Sequence, residues 1–66
     1  MKNVTESWAI IDENGDQYIR ASTILFEAAG DVDRAKSIAK KLARRFNDDK
    51  YACYPFTVEK RDVRTF

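Results

Sequence analysis

The 66-residue chain has no histidine, and it has a single cysteine, Cys53. Histidine is the commonest general acid and base of enzymes, so its absence removes the most usual catalytic group. One thiol can form no internal disulfide, and without imidazole it cannot complete a tetrahedral zinc site. We therefore predict a protein that is not an enzyme, has no catalytic residues, and holds no metal or cofactor.

Long apolar stretches are absent as well. No run approaches the roughly 20 residues that cross a bilayer. Residues 1–5 lead into polar sequence without the apolar segment of a signal peptide. A lone cysteine fits a reducing compartment better than a secreted protein. These observations predict a cytoplasmic protein with no membrane partner.

The length allows one domain, residues 1–66, in which residues 1–5 are expected to be frayed. A chain this short buries only about 60% of the surface that its unfolded form exposes, so its stability margin is small. Self-association would add buried surface, and a homodimer is therefore one expectation.

The segment from Asp12 to Asp16 (DENGD) has oxygen-bearing side chains at alternate positions, as calcium-binding loops do. Such a loop needs glycine at its sixth position and glutamate at its twelfth. This chain has Gln17 and Thr23 there. The segment is better explained by a turn.

Two short segments rich in β-forming residues, 7–12 and 16–21, flank Asn14-Gly15. Asn-Gly is typical of the type I′ turn of a β-hairpin, in which both central residues have positive φ. The hairpin register then follows from pairing Glu13 with Asp16. It places Ile11 opposite Tyr18, Ile10 opposite Ile19, and Trp8 opposite Ala21.

Alternation along these strands predicts a core face and an outer face. The core face carries Trp8, Ile10, Ile19 and Ala21. The outer face carries Ala9, Ile11, Tyr18 and Arg20. Because one helix covers one side of a sheet, we expect the outer face to stay uncovered, and an exposed apolar patch usually marks an interface.

Residues 22–29 leave two alternatives open. The apolar run Ile24–Phe26 fits a further strand, and the same residues fit a short helix capped by Ser22.

The next segment predicts an amphipathic helix. Asp31 is a favourable N-cap residue, and Asp33 suits the first turn. We expect Arg44 and Arg45 in the last turn, with 47–49 ending the helix. Apolar residues recur with the 3.6-residue period of a helix. These inward-facing residues are Val32, Ala35, Ile38, Ala39, Leu42, Ala43 and Phe46.

Residues from Tyr51 onward predict a final strand, with Cys53 as a small buried residue. Pro55 cannot donate to a β-ladder, so this strand starts there or lies at an edge. The predicted fold is of the α+β class. It is a small single-layer antiparallel sheet, a hairpin plus one or two further strands in the order ββ(β)αβ, with one amphipathic helix packed on one face.

The outer side of the predicted helix is basic, and no acidic residue lies between positions 34 and 45. Charge runs are commonly solvated helix faces. Like charges four residues apart nevertheless repel, which a chain of small stability margin tolerates more readily if the face has an acidic partner. A phosphate backbone or an acidic protein surface would serve. The candidate binding residues are Arg34, Lys36, Lys40, Lys41, Arg44 and Arg45, together with Tyr18 of the outer sheet face.

Two resemblances follow from these elements. The segment 30–46 (GDVDRAKSIAKKLARRF) resembles the lysine-rich helix that closes double-stranded-RNA-binding domains, where a hairpin also comes before that helix. The chain departs from those domains because it has no N-terminal helix and continues with strand-like sequence. In size and layout it is also similar to small phage-encoded anti-CRISPR proteins. That resemblance implies a protein that blocks a bacterial defence system by occupying a surface of a nucleic-acid-handling complex.

The leading hypothesis is a non-enzymatic interaction protein. It would dock on a protein or ribonucleoprotein complex through the basic helix face, the uncovered sheet face or both, as an inhibitor encoded by a phage or other mobile element would. Two alternatives stay open. One is a module that binds nucleic acid directly through its phosphate backbone, and the other is a small structural homodimer.

Overall fold

The computed structural model describes residues 4–49 and 54–64. The elements, in chain order, are β1 (Val4–Ile11), β2 (Gln17–Ile19), α1 (Ala21–Glu27), α2 (Val32–Asp49) and β3 (Thr57–Arg64). The strands form one antiparallel sheet in the order β2-β1-β3. The α+β class with a small antiparallel sheet and one long helix is thus confirmed. The predictions for Tyr51 and Cys53 lie outside the described residues.

The hairpin is present, but its turn is not the predicted one. Of the turn residues, only Gly15 has a positive φ, +85°, and the Gly15 N–H donates to the Asp12 carbonyl at 3.1 Å. This is a type I turn followed by a left-handed glycine, the pattern of longer hairpin loops. The Asp12 carboxylate selects it by accepting the N–H groups of Asn14 at 2.9 Å and Asp16 at 3.1 Å.

The altered turn changes the register. Ile10 pairs with Ile19 as predicted, whereas Ile11 pairs with Gln17 instead of Tyr18, with a β-bulge between the two pairs. The predicted pairing of Trp8 with Ala21 is also wrong, because β2 ends at Ile19.

Residues 22–29 are not a strand. Most of them belong to α1, which begins one residue before Ser22 and has Arg20 at its N-cap position without a side-chain capping bond. Its buried residues, with Ala28 just beyond its end, recur at helical spacing. They are Ala21, Ile24, Leu25 and Ala28, and Phe26 points away with 82% of its surface exposed.

The helix α2 confirms the predicted amphipathic pattern. Arg34 N–H donates to the Asp31 carboxylate at 3.2 Å, which caps the first turn. The three alanines of the inward stripe are buried, and its four larger residues are half-buried. The structure describes α2 as far as Asp49. Arg44 and Arg45 therefore lie about one turn before its end instead of in its last turn, which has no basic residue among the described positions.

The main core lies between β1, both helices and the start of β3. Its buried residues include Ile10, Ile24, Leu25 and Phe56, with Trp8 and Ile19 packed against them. The predicted core face of the hairpin is therefore largely confirmed.

The predicted open face of the central strand is wrong. Ser7 and Ala9 are fully buried and Ile11 is 3% exposed. Ala9 and Ile11 form a second, smaller cluster with Ala21, and Val63 of β3 packs against it. The prediction failed because Ala21 is not a residue of the core-facing strand. It starts α1 and packs against the opposite face.

The strand β3 is an edge strand that pairs with β1 along its whole length, from Ile11–Thr57 to Val4–Arg64. Val4 and Thr5, which were expected to be frayed, are therefore part of the ladder. The start of β3 is held to the end of α2 by an aromatic cluster in which Tyr18, Phe46 and Phe56 lie with ring centroids 4.9 to 5.5 Å apart.

Candidate docking surface

The basic face of α2 is the set of six cationic side chains opposite its inward stripe. All six are exposed: Arg34, Lys36, Lys40, Lys41, Arg44 and Arg45. At about 100° per residue they form two rows. One row is Lys36, Lys40 and Arg44, and the other is Arg34, Lys41 and Arg45. The exposed hydroxyl residue Ser37 lies between the rows.

None of these six side chains makes an ion pair within the described part of the chain. The two ion pairs seen there are both made by β3. Lys60 Nζ lies 2.8 Å from Glu6 Oε2, and Arg61 lies 3.4 Å from Glu59. The helix cations therefore have no carboxylate partner there, although the whole chain has 11 acidic residues against 12 basic ones.

One aromatic ring adjoins the basic face. Lys36 Nζ lies 5.8 Å from the centroid of the Trp8 ring, within reach of a cation–π contact. Trp8 is half-buried and packs against the main core. Lys36, at one edge of the basic face, thus lies beside an aromatic residue of the sheet.

The opposite end of the face is less uniformly basic. A shallow groove of about 390 Å³ there is lined by Lys41, Leu42, Arg44, Arg45, Asp48 and Asp49. The two aspartates lie four residues after the two arginines and mark the C-terminal limit of the positive surface. They make no ion pair among the described residues, so they do not neutralise those arginines directly.

Tyr18, the seventh predicted binding residue, was expected on the outer sheet face, but its ring lies against α2. It is 47% exposed and contacts Phe46, on the inward side of α2, and Phe56, the residue just before β3. Its ring serves the packing of the three-residue aromatic cluster, and part of it remains accessible to solvent.

The outer edge of β3 is strongly charged. Five of its eight residues carry charge: Glu59, Lys60, Arg61, Asp62 and Arg64. Charged side chains on an edge strand are a common means of preventing edge-to-edge pairing. This edge therefore does not favour a homodimer built by strand addition.

A second basic region was missed by sequence reasoning. Arg20, Arg61 and Arg64 line one groove between the start of α1 and the end of β3. Arg20 is some forty positions from the other two, so no local pattern in the sequence could have indicated that they meet.

The chemistry available at these surfaces is that of recognition. Cations without bound carboxylates can hold anionic groups, and arginine does so with paired donors. Among residues 4–49 and 54–64, no group of three or more Cys, Asp or Glu side chains could hold a metal ion. In the same part of the chain, no helix is long and apolar enough to cross a membrane. Comparisons with family models, curated proteins and solved structures give no match to this chain.

Proposed function

We propose that this protein is a non-enzymatic interaction protein that docks on an acidic surface of a protein or ribonucleoprotein complex through the basic face of α2. The observation that carries the proposal is the set of six exposed cations on one helix without a carboxylate partner in the described part of the chain. The sheet face that was predicted to be uncovered is not part of the proposal, because Ser7, Ala9 and Ile11 on that face of the central strand are buried.

Electrostatic repulsion within the face supports a role in binding. Lys36–Lys40, Lys40–Arg44 and Lys41–Arg45 are like-charge pairs four residues apart, and each costs about 0.2–0.5 kcal/mol of helix stability. One acidic side chain among these cations would relieve the repulsion, and surface helices often have one. A partner with the opposite charge would instead turn the repulsion into attraction across the interface.

The dimensions of the face suit a macromolecular partner. Arg34 and Arg45 lie about 16 Å apart along the helix axis, from a rise of about 1.5 Å per residue. This length is too great for one small anion and suits a row of acidic groups. In its most specific form, the proposal is that the protein inhibits a nucleic-acid-handling complex by covering a surface to which nucleic acid would otherwise bind.

The test is a charge-reversal variant in which Lys40, Lys41, Arg44 and Arg45 are each replaced by glutamate. The matched control exchanges lysine and arginine at the same four positions, which keeps every charge. Tagged forms of both are used for affinity capture with and without nuclease, and the captured partner is then purified for direct affinity measurements. We expect the exchange variant to bind the purified partner and the reversal variant to fail, with circular dichroism showing both to be folded.

Three outcomes would contradict the proposal. Equal binding by the reversal variant would exclude the basic face. Loss of capture after nuclease, together with binding of free nucleic acid by the purified chain at an affinity that falls steeply with salt concentration, would identify direct phosphate-backbone binding instead. A mass by light scattering that doubles with concentration and that the reversal abolishes would make the face a homodimer contact.

A further inference from the structure

The groove between the start of α1 and the end of β3 has a composition that differs from the rest of the surface. Its volume is about 420 Å³. It is lined by Gln17, Arg20, Ala21, Ser22, Arg61, Asp62, Val63 and Arg64. The lining thus has three arginines and one acidic residue, while the chain as a whole is close to neutral.

Two of the three arginines are not engaged elsewhere. Among the described residues, neither Arg20 nor Arg64 makes an ion pair, and Arg61 shares its charge with Glu59 at 3.4 Å. The groove is therefore lined by two arginines, Arg20 and Arg64, whose charge no carboxylate of the described residues neutralises by direct pairing.

We propose that this groove binds a small phosphate ester of about nucleotide size. The planar guanidinium donates paired hydrogen bonds that match the oxygens of a phosphate group, so a groove lined by several arginines suits a phosphate. Gln17 and Ser22, which also line the groove, have an amide and a hydroxyl that can donate further hydrogen bonds.

The organic part of the ligand follows from the rest of the lining. Val63, which is half-buried, gives the groove an apolar portion beside the buried Ala21. A volume of about 420 Å³ lies within the range of small-molecule sites, which is about 300–1,000 Å³. A bare phosphate ion would leave most of this space and the apolar portion unused. The site is independent of the basic face of α2, with which it shares no residue.

The test is a titration of the uniformly ¹⁵N-labelled full chain, in low-salt buffer without phosphate, followed by amide chemical shifts. The probes are adenosine 5′-monophosphate, adenosine and inorganic phosphate. The test variant replaces Arg20 and Arg64 by glutamine. The control is Lys60→Gln, which removes one positive charge from β3 at a residue that pairs with Glu6 instead of lining the groove.

We expect saturable shifts at residues 20–22 and 61–64 with the nucleotide, binding at least about tenfold weaker for adenosine and for inorganic phosphate, and loss of these shifts in the double variant. Lys60→Gln should bind like the unchanged protein. If circular dichroism shows that the double variant is unfolded, Arg64→Lys is tested in its place. This variant keeps the charge and removes the paired donors, so it should weaken nucleotide binding several-fold.

The proposal is overturned if the nucleotide gives no saturable shift, or if the shifts lie on α2 instead of the groove. Equal binding of adenosine and the nucleotide would show that the arginines do not hold the phosphate. Equal binding of inorganic phosphate would show a site for bare anions only.

Discussion

The side-chain amide of Asn47 pairs with the backbone of Phe56 in both directions. Phe56 N–H donates to Asn47 Oδ1 at 2.6 Å, and Asn47 Nδ2 donates to the Phe56 carbonyl at 3.0 Å. The amide thus acts as a short piece of β-ladder between the end of α2 and the residue just before β3. It brings the Phe56 ring to 5.3 Å from Phe46 and so joins the helix that carries the basic face to the edge of the sheet.

We expect Asn47→Asp to destabilise the fold by about 1–3 kcal/mol, because an ionised carboxylate cannot donate to the Phe56 carbonyl and leaves that partly buried group unpaired. The measurement is urea unfolding at pH 7. The control is the exposed neighbour Asp48→Asn, which should change the free energy of unfolding by much less. Equal effects at the two positions would mean that the amide pairing contributes nothing specific.

The link between α1 and α2 contains a residue of the wrong type for its backbone. Ala29 has a φ of +55°, in the left-handed region, and Gly30 follows with a φ of +81° and donates its N–H to the Leu25 carbonyl at 3.0 Å. A side chain in the left-handed region costs roughly 1–2 kcal/mol, which glycine avoids.

Ala29→Gly should therefore raise the free energy of unfolding by up to about 1 kcal/mol, the relief of backbone strain being partly offset by the greater entropy of unfolded glycine. Gly30→Ala should lower it by a similar amount through backbone strain, since no atom lies within 4 Å of the position that its Cβ would take. Thermal melts of both variants check this, and a destabilised Ala29→Gly protein would show that the turn has another conformation.

Ser7 gives a prediction about the buried side of the central strand. Its side chain is fully buried, and its hydroxyl has no hydrogen-bond partner among the described residues. An unsatisfied buried hydroxyl costs on the order of 1–3 kcal/mol, so Ser7→Ala should stabilise the protein or leave it unchanged. Thr5→Ala, at a half-buried position two residues earlier on the same strand, is the comparison. A marked loss of stability in Ser7→Ala alone, in chemical denaturation, would show that the hydroxyl has a partner after all.

The sequence was sufficient to predict the elements that depend on local patterns. Asp31 and the apolar stripe predicted α2 because the cap and the 3.6-residue period act within one element. Asn14-Gly15 located the hairpin, but the Asp12 carboxylate, by accepting two loop N–H groups, chose a different turn and so a different register.

The features that were predicted wrongly or missed depend on tertiary contacts. The short segment of α1 has apolar residues that fit either period, and packing against α2 and β1 decided its structure. The closure of the second face by Ala21, and the meeting of Arg20 with Arg61 and Arg64, join residues far apart in sequence. No pattern within a window of the sequence could have predicted them.

The ion pair of Lys60 and Glu6 predicts a pH dependence. The hydrogen bond and charge of the Glu6 carboxylate raise the pKa of Lys60 above its ordinary value of 10.5. A group whose pKa is raised by folding contributes stability that is complete below the unfolded pKa and is lost as the pH rises through the folded pKa. The stability difference between the unchanged protein and Lys60→Met should thus be constant from pH 7 to 9 and shrink above pH 10.5. Urea unfolding across this range checks it, and a difference that persists at the highest pH would assign it to packing of the lysine stem.

Replacing Lys40 alone should separate stability from binding. Lys40 has Lys36 four residues before it and Arg44 four residues after it, so Lys40→Glu converts two repulsive pairs into two attractive ones. At about 0.2–0.5 kcal/mol for each pair removed or gained, the helix should become roughly 1 kcal/mol more stable. Binding to the purified acidic partner should weaken, because the reversed charge lies in the middle of a basic row.

Lys60→Glu is the control for this prediction. It changes the net charge by the same amount, breaks the pair with Glu6, and should lower stability slightly while leaving partner affinity unchanged. Unfolding experiments and direct affinity measurements on the two variants test both effects together. If Lys40→Glu gained stability and kept full affinity, the repulsion on α2 would have no connection with partner binding.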